Sequence, residues 1–519
     1  MKKNYFILFL LIFYLFFQLS TLDYGFKIND IKYFKNISLN QKDIKDFTEK
    51  RKIKNKENIK SEADAWKHRY KLYSINADEM MPIMALSKIN INENKFDPQI
   101  YKYGGAFIYP LGLYYYFLTK VNFLENINSF SITNNENLTD KIYYHGRFFV
   151  LLFFIFSAFV LYNSLKLITD KNYALIFTAI YLFAPSSIMY SQIIKPNWYA
   201  LLWFNSSIFF TLKYLLNDKK KIYLFLVSFF LGLTIGSSIL FIPSFFFIFT
   251  LIFFNLKKDF SKNYFFLLIF FSLLIFFITN PYILINFTSF INESQNEYAW
   301  VIKGIKFKNI ILFFKNSFIQ GFGLIFSLTL FYYLLKKSSN SFDKKIAVGI
   351  FLLIFFGAII SSYEIWHIQF RYIPYILPIS LIYLAYKLKN KKKFLIFVLI
   401  ATILQTIPLK IAYYDENNLN HSTRLSSAKW INDNIIEKNK TICKKDFSPF
   451  DFPPVNFNKI KIEKNCSYDI HVLRQPKKIN QYKENQIIKK FEPRYQFVDI
   501  PLVFSHINPL IVILKNSHE

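Results

Sequence analysis

Two neighbouring carboxylates, Asp78 and Glu79, stand in the run SINADEMMPIMAL, just after a basic segment and just before an apolar one. Adjacent acids can divide labour: one takes a proton from an acceptor, the other holds a cation or a guanidinium. The same pair also suits a plain helix start, where the dipole favours negative charge. Four cations could complement them. Arg147 lies in YYHGRFFVLLFF at the mouth of an apolar run. A charge inside hydrocarbon costs roughly 2.5–3.5 kcal/mol, so Arg147 is either a snorkelling anchor or a paired, functional group. Lys195 in SQIIKPNWY can meet a phosphate as a point charge or be an ordinary loop lysine. His367 and Arg371 in SSYEIWHIQFRYIPYILP are spaced to share one helix face and could grip a phosphate. A belt of Trp, His and Tyr at a span boundary is the plainer account of that stretch. His145 reads as an interfacial polar residue.

These groups need elements to position them. The chain has 519 residues, 53% hydrophobic and 20% aromatic, with 64 Phe and only 12 Gly. Apolar runs of about 20 residues recur along it, the length that crosses a bilayer's hydrocarbon. A soluble core has no need of so many, so the composition predicts a mainly α, polytopic membrane helical bundle. The formal charge of +30 does not point to nucleic acid, because the lysines crowd into loops between apolar runs. Positive-inside topology and anionic membrane lipid account for them.

The runs predict about eleven spans. They begin with Asn4–Leu22, an uncleaved first span behind Lys2 and Lys3. Phe148–Leu165, Tyr173–Ser191 and Trp198–Leu216 follow, then a pair within Tyr223–Leu256. Tyr264–Ile285, Phe318–Leu335, Ile346–Ser362, Tyr372–Leu388 and Phe394–Ile411 complete the set. Ala106–Leu118 is interrupted by Pro110 and Gly112 and is read as interfacial or re-entrant. With that choice the Lys-dense loops Asn217–Lys221, Lys257–Lys262, Lys336–Lys345 and Lys389–Lys393 all fall inside. Asp78, Arg147, Lys195, His367 and Arg371 then share the external face.

The transmembrane domain is expected over residues 1–411, with a first external loop at 23–145. The polar stretch Asn286–Lys315 is expected outside as a loop that could cover a site. Asn280-Pro281, with Tyr282, should kink or end a span. Residues 412–519 read as a small external α/β domain, with a helix around Ser422–Ile436 and strands such as Tyr468–Leu473 and Leu510–Leu514. Both cysteines, Cys443 and Cys466, fall in it and could pair if it lies outside the cytoplasm. There is no Walker loop, dinucleotide glycine motif, HExxH or CxxC. Energy must come from an activated substrate already in the membrane, or from a gradient.

The order of these short motifs resembles the membrane glycosyltransferases of the GT-C fold, in the branch of protein O-mannosyltransferases and lipid A aminoarabinose transferases. The resemblance rests on Ala77-Asp78-Glu79 after span one, YGGAFIYPLGLYYY, Arg147 opening span two, and SQIIKPNWY. NPYIL from Asn280, HIQFRYIPYILP and the tail segment TRLSSAKWINDNI extend it over most of the chain. It implies transfer of a sugar from a polyprenyl-phosphate donor to a lipid, glycan or protein hydroxyl outside the cytoplasm, with inversion. Asp78 would be the general base and Glu79 its support, through pairing with Arg147. Arg147, Lys195, His367 and Arg371 would take the donor phosphate. His145, Tyr103, Asn197 and Tyr372 would support the site. Relatives often carry an acid where this chain has Asn197, so no cofactor or essential divalent metal is expected. The implied setting is a bacterial inner membrane, with the site on the periplasmic face. The rival readings are a lipid or polysaccharide transporter of similar topology, or a polymerase or ligase with a diphosphate donor. A transporter favours polar groups along a path and two related halves. Here the polar groups cluster at one face, which favours the enzyme.

Overall fold

A computed structural model describes residues 5–25, 74–125, 136–216, 220–255, 262–301, 306–336, 341–363, 373–418, 420–443, 452–457, 459–463, 466–473, 486–495 and 507–515. The chain forms two compact units. The first comprises Met1–Leu19, Met84–Tyr114 and Gly146–Ile407, and the second Ser20–Ile83, Tyr115–His145 and Pro408–Glu519.

The first unit is mainly helical among its described residues, with an isolated bridge between Asn90 and Lys95, and its helix ends follow from Pro, Gly and Asn. Lys171–Phe183 stops at Ala184, whose backbone is forced out of the helical region by Pro185, and Pro185–Tyr190 starts afresh. Lys221–Ser237 ends at extended Ser238, and Ile242–Phe253 resumes with Pro243 in its first turn. Lys262–Thr279 ends where Asn280-Pro281 opens the short helix Pro281–Ile285. Gly323, at φ 106°, turns the chain between Phe307–Ile319 and Leu324–Leu335, which meet at 110°.

These breaks bear on membrane crossing. Among the described residues, Leu138–Leu165 and Lys392–Glu416 are each long and apolar enough to span a bilayer, and the bent pair would make a third. Five more apolar helices, including Tyr5–Leu19 and Ile376–Leu388, are shorter. Several of the runs counted as single spans, such as Tyr173–Ser191 and Phe318–Leu335, are therefore broken helices. Their outer faces carry exposed Phe6, Phe9, Phe266, Phe270, Leu328, Phe355 and Phe397. A surface of that kind belongs in lipid, and the chain reads as a helical membrane protein.

Helix packing here relies on small residues and rings. Ser272 donates through its hydroxyl to the Ser228 carbonyl at 2.9 Å, and Gly232 lies against Ser272 and Ile275. Tyr199 stacks on Phe149 at 5.6 Å and sits 4.5 Å from Phe153. The expected polar loop Asn286–Lys315 is instead largely helical, as Phe287–Val301 and Phe307–Phe313.

The second unit contains a five-stranded sheet. Its strands are β1 Thr441–Cys443, β2 Lys461–Glu463, β3 Tyr468–Leu473, β4 Ile487–Phe491 and β5 Leu510–Lys515, in the order β2-β1-β3-β5-β4. β1 runs parallel to β2 and β3, while β5 is antiparallel to β3 and β4. β5 is buried on both faces. Ile511 and Ile513 join Ile431, Ile435, Phe452 and Ile470 on one side; Leu510, Val512 and Leu514 pack with Leu473 on the other. The helix Thr423–Ile431 starts at Ser422, whose hydroxyl accepts from the Leu425 amide at 3.2 Å. Cys443, the last residue of β1, is disulfide-bonded to Cys466.

Candidate active site

The acidic pair is built by a local turn. The Asn76 carbonyl accepts from the Glu79 amide at 3.0 Å, and its side-chain Oδ1 accepts from the Asp78 amide at 3.2 Å. Such a turn competes well with regular helix and starts one instead. A single 3-10 turn, Ala77–Glu79, leads into the helix Met80–Leu86. Successive side chains on a 3-10 turn diverge by about 120°. The two acids therefore have different surroundings. Glu79 is 0% exposed, accepts from the Ser74 hydroxyl at 2.5 Å and lies 3.5 Å from the Tyr24 hydroxyl. Tyr24 packs edge-on against Tyr413 at 4.7 Å. Asp78 is only partly buried. One carboxylate is fully buried and its neighbour is partly exposed, and a difference in surroundings is what separates the chemistry of two adjacent acids.

Other groups of the second unit flank this turn. The Tyr143 hydroxyl donates to the Met80 sulfur at 3.3 Å. His145, on the same helix as Tyr143, is half-buried with its ring edge-on to Tyr144. Lys410 donates to the Thr21 hydroxyl at 2.5 Å, three residues before Tyr24. Sequence reasoning passed over Ser74, Tyr24 and Lys410. The signal was present only for Lys410, a lone cation inside the apolar run TIPLKIAYY.

The expected phosphate-binding cations Arg147 and Lys195, with Asn197 and Tyr103, belong to the first unit. Arg147 is 2% exposed, Lys195 5% and Asn197 4%, so none of them is an ordinary surface residue. Arg147 stands one half-turn before Phe149, whose ring stacks on Tyr199; Asn197 stands one half-turn before Tyr199. The Arg147 and Asn197 regions are thus neighbours in this unit. The loop carrying Lys195 is pinned from the first helix. Gln18 donates to the Ile188 carbonyl at 2.9 Å and to the Ser191 hydroxyl at 2.8 Å, and the Tyr14 hydroxyl lies 3.1 Å from that of Ser191. Trp198 stacks on Tyr190 at 4.5 Å.

Tyr103 is partly exposed, and Lys102 lies 5.8 Å over its ring. The glycines after it carry a structural load. Gly104 donates through its amide to the Ser237 carbonyl at 3.1 Å, and Gly105 donates to Asn280 Oδ1 at 2.7 Å. A Cβ on Gly104 would run into the Gly236 carbonyl, and one on Gly105 into that of Thr279. The YGG turn, the Gly236-Ser237 break and Asn280-Pro281, three features separate in sequence, meet at one point. Beside them, Glu293 accepts from the Tyr101 amide at 2.7 Å, and Asn286 donates to Asp97 at 2.5 Å. Burial, with the Asp97 and Glu293 carboxylates alongside, holds the Tyr101 phenol above its ordinary range.

His367, Arg371 and Tyr372 lie outside the described residues. Among the described residues, no three His, Cys, Asp or Glu side chains gather in a way that could hold a metal ion.

No protein-family model matches the chain, and no curated protein matches it. Among solved structures it is similar to ArnT from Cupriavidus metallidurans in the apo state, at 8% identity and a TM-score of 0.44. That likeness covers 84% of this chain and 92% of that one. It is similar to the same protein bound to undecaprenyl phosphate, with 8% identity, a TM-score of 0.43 and the same 84% and 92% coverage.

Proposed function

We propose that this chain is a membrane glycosyltransferase, moving a sugar from a polyprenyl-phosphate donor to a hydroxyl of a lipid, glycan or protein. The observation that carries the reading is the split between Asp78 and Glu79, one partly exposed and one fully buried on the same turn. Asp78 takes the proton of the acceptor hydroxyl as its oxygen attacks the anomeric carbon. The bond from that carbon to the phosphate oxygen breaks, and the phosphate leaves with the electron pair, so the anomeric centre inverts. Glu79 fixes the turn that aims Asp78. Arg147 and Lys195, with His367 and Arg371, balance the charge that gathers on the leaving phosphate. Tyr103, His145, Asn197 and Tyr372 support the site.

The same reading sets the protein in a bacterial inner membrane, with its chemistry and C-terminal domain on the external side. Two features support that placement. On the span assignment read from the sequence, the short loops dense in lysine share one face, as the positive-inside rule requires. The Cys443–Cys466 disulfide belongs in an oxidising compartment.

The test is an Asp78→Asn variant in membranes supplied with a polyprenyl-phosphate sugar. Transfer should fall by roughly 10²–10⁴ while donor binding persists. Mass spectrometry of the cell envelope, with and without the chain, should show one missing sugar. Full transfer by Asp78→Asn would defeat the assignment.

A further inference from the structure

A cavity of about 550 Å³ lies between the helices Leu324–Leu335 and Lys392–Glu416, within the first unit. That volume is in the range of small-molecule and lipid sites, roughly 300–1,000 Å³. Its lining is amphipathic along one direction. Leu328, Phe394 and Phe397 form its apolar part, while Tyr332, Tyr333 and Lys391 gather at one end. The polar groups coincide because Tyr332 and Tyr333 close one helix and Lys391 immediately precedes the other. Lys391 donates to the Tyr333 hydroxyl at 3.0 Å, and Lys336 lies 5.7 Å over the Tyr332 ring. Among the described residues that line the cavity there is no carboxylate. Leu328, Tyr332 and Phe397 are exposed on the apolar flank of the unit, so the cavity opens where acyl chains would lie.

We infer that this cavity is a binding site for an anionic phospholipid, its phosphate at Lys391 and the two tyrosine hydroxyls and an acyl chain against Leu328, Phe394 and Phe397. Charge complementarity selects the occupant: a hydrophobic slot with a cation and hydroxyls at one rim fits a lipid with a negative head. Both Lys336 and Lys391 belong to loops that the positive-inside rule assigns to the cytoplasmic face, where anionic lipid meets juxtamembrane lysines. The site is independent of the acidic turn and of the sugar-transfer reading.

Native mass spectrometry of the full chain in detergent tests this, with phosphatidylglycerol and phosphatidylcholine as probes. The unaltered protein should retain phosphatidylglycerol and not phosphatidylcholine. Lys391→Glu, at an exposed position, should lower phosphatidylglycerol retention by about tenfold. Leu328→Trp, which fills the cavity and leaves every charge in place, should lower it as well. Equal retention of the two lipids, or unchanged phosphatidylglycerol retention in either variant, overturns the proposal. So does displacement of the lipid by inorganic phosphate alone, which would mean the acyl chain contributes nothing.

Discussion

The backbone amide of Gly105 donates to Oδ1 of Asn280 at 2.7 Å, joining residues 175 positions apart. The side-chain nitrogen of Asn280 in turn donates to the Gly236 carbonyl at 3.1 Å. One buried side chain thus ties the YGG turn to two helix ends, with no room for a Cβ at Gly104. Asn280→Ala strands a buried N–H and a buried carbonyl, at about 1–3 kcal/mol. Gly104→Ala should cost more, because the obstacle is backbone and cannot swing aside. Thermal unfolding of both variants in detergent measures this; melting temperatures equal to the parent's would show that the junction is not tight.

The two acids of the candidate site should respond in opposite ways. Asp78→Asn keeps the shape of a partly exposed side chain and should cost less stability than loss of the buried Glu79. Glu79→Ala removes the acceptor for Ser74 and opens a buried gap, and should cost about 1–3 kcal/mol. Paired melting curves and sugar-transfer assays separate the two. A stable Glu79→Ala beside an unfolded Asp78→Asn would exchange their roles.

Much of this was legible in the sequence, for reasons that name themselves. Pro281 has no N–H, so a helix end at Asn280 could be read directly, as could the strands at Tyr468, where apolar and polar residues largely alternate, and at Leu510, where apolar residues run uninterrupted. The acidic turn was legible as a pair of acids before a helix. The difference between Asp78 and Glu79 was not, since it depends on Tyr24 and Ser74. In Phe287–Val301 the Asn, Gln, Glu and Ser content points to a loop and outweighs the helical spacing of Phe287 and Phe290. Phe290 in fact packs edge-on against Tyr101. Partners such as Gln18 and Ser191 leave no periodic trace at all, because their pairing is set by packing across 173 residues.

In the C-terminal part of the second unit, Arg424 and Glu416 form an ion pair at 2.9 Å with both side chains fully buried. Glu416 also accepts from the Asn508 amide. Breaking one half leaves a charge without its counterion in a dry place. Arg424→Met should therefore cost about 3–5 kcal/mol, whereas replacing both members with apolar residues should recover much of the loss. A double-mutant cycle read by unfolding decides this, and additive single effects would deny the coupling.

The Cys443–Cys466 bridge closes a sequence separation of 23 residues, with Cα atoms 4.9 Å apart. Chain-entropy arithmetic for a loop of that size gives about 3 kcal/mol of stabilisation. Unfolding of the oxidised and reduced protein should show that difference. Thiol labelling in intact cells should find both cysteines blocked until reductant is added. Freely reactive thiols there would place this domain in the reducing cytoplasm, against the proposed orientation.

Gln18 offers the last test, because it is a polar side chain in the otherwise apolar run YFILFLLIFYLFFQL. Its amide nitrogen is within 2.9 Å of three acceptors: the Tyr14 hydroxyl, the Ile188 carbonyl and the Ser191 hydroxyl. In lipid such interhelical bonds contribute about 0.6 kcal/mol on average, and up to roughly 1.7. Gln18→Leu should thus cost little in overall stability. Its sharper effect should be local, on the segment from Ser187 to Lys195 that Gln18 and Tyr14 hold in place. Hydrogen exchange of amides 188–195 should quicken in Gln18→Leu while the helix Pro196–Leu216 stays protected. Donor binding through Lys195 should weaken in step. If exchange over that segment is unchanged, the first helix does not anchor the Lys195 loop, and the buried position of Lys195 owes its order to other contacts.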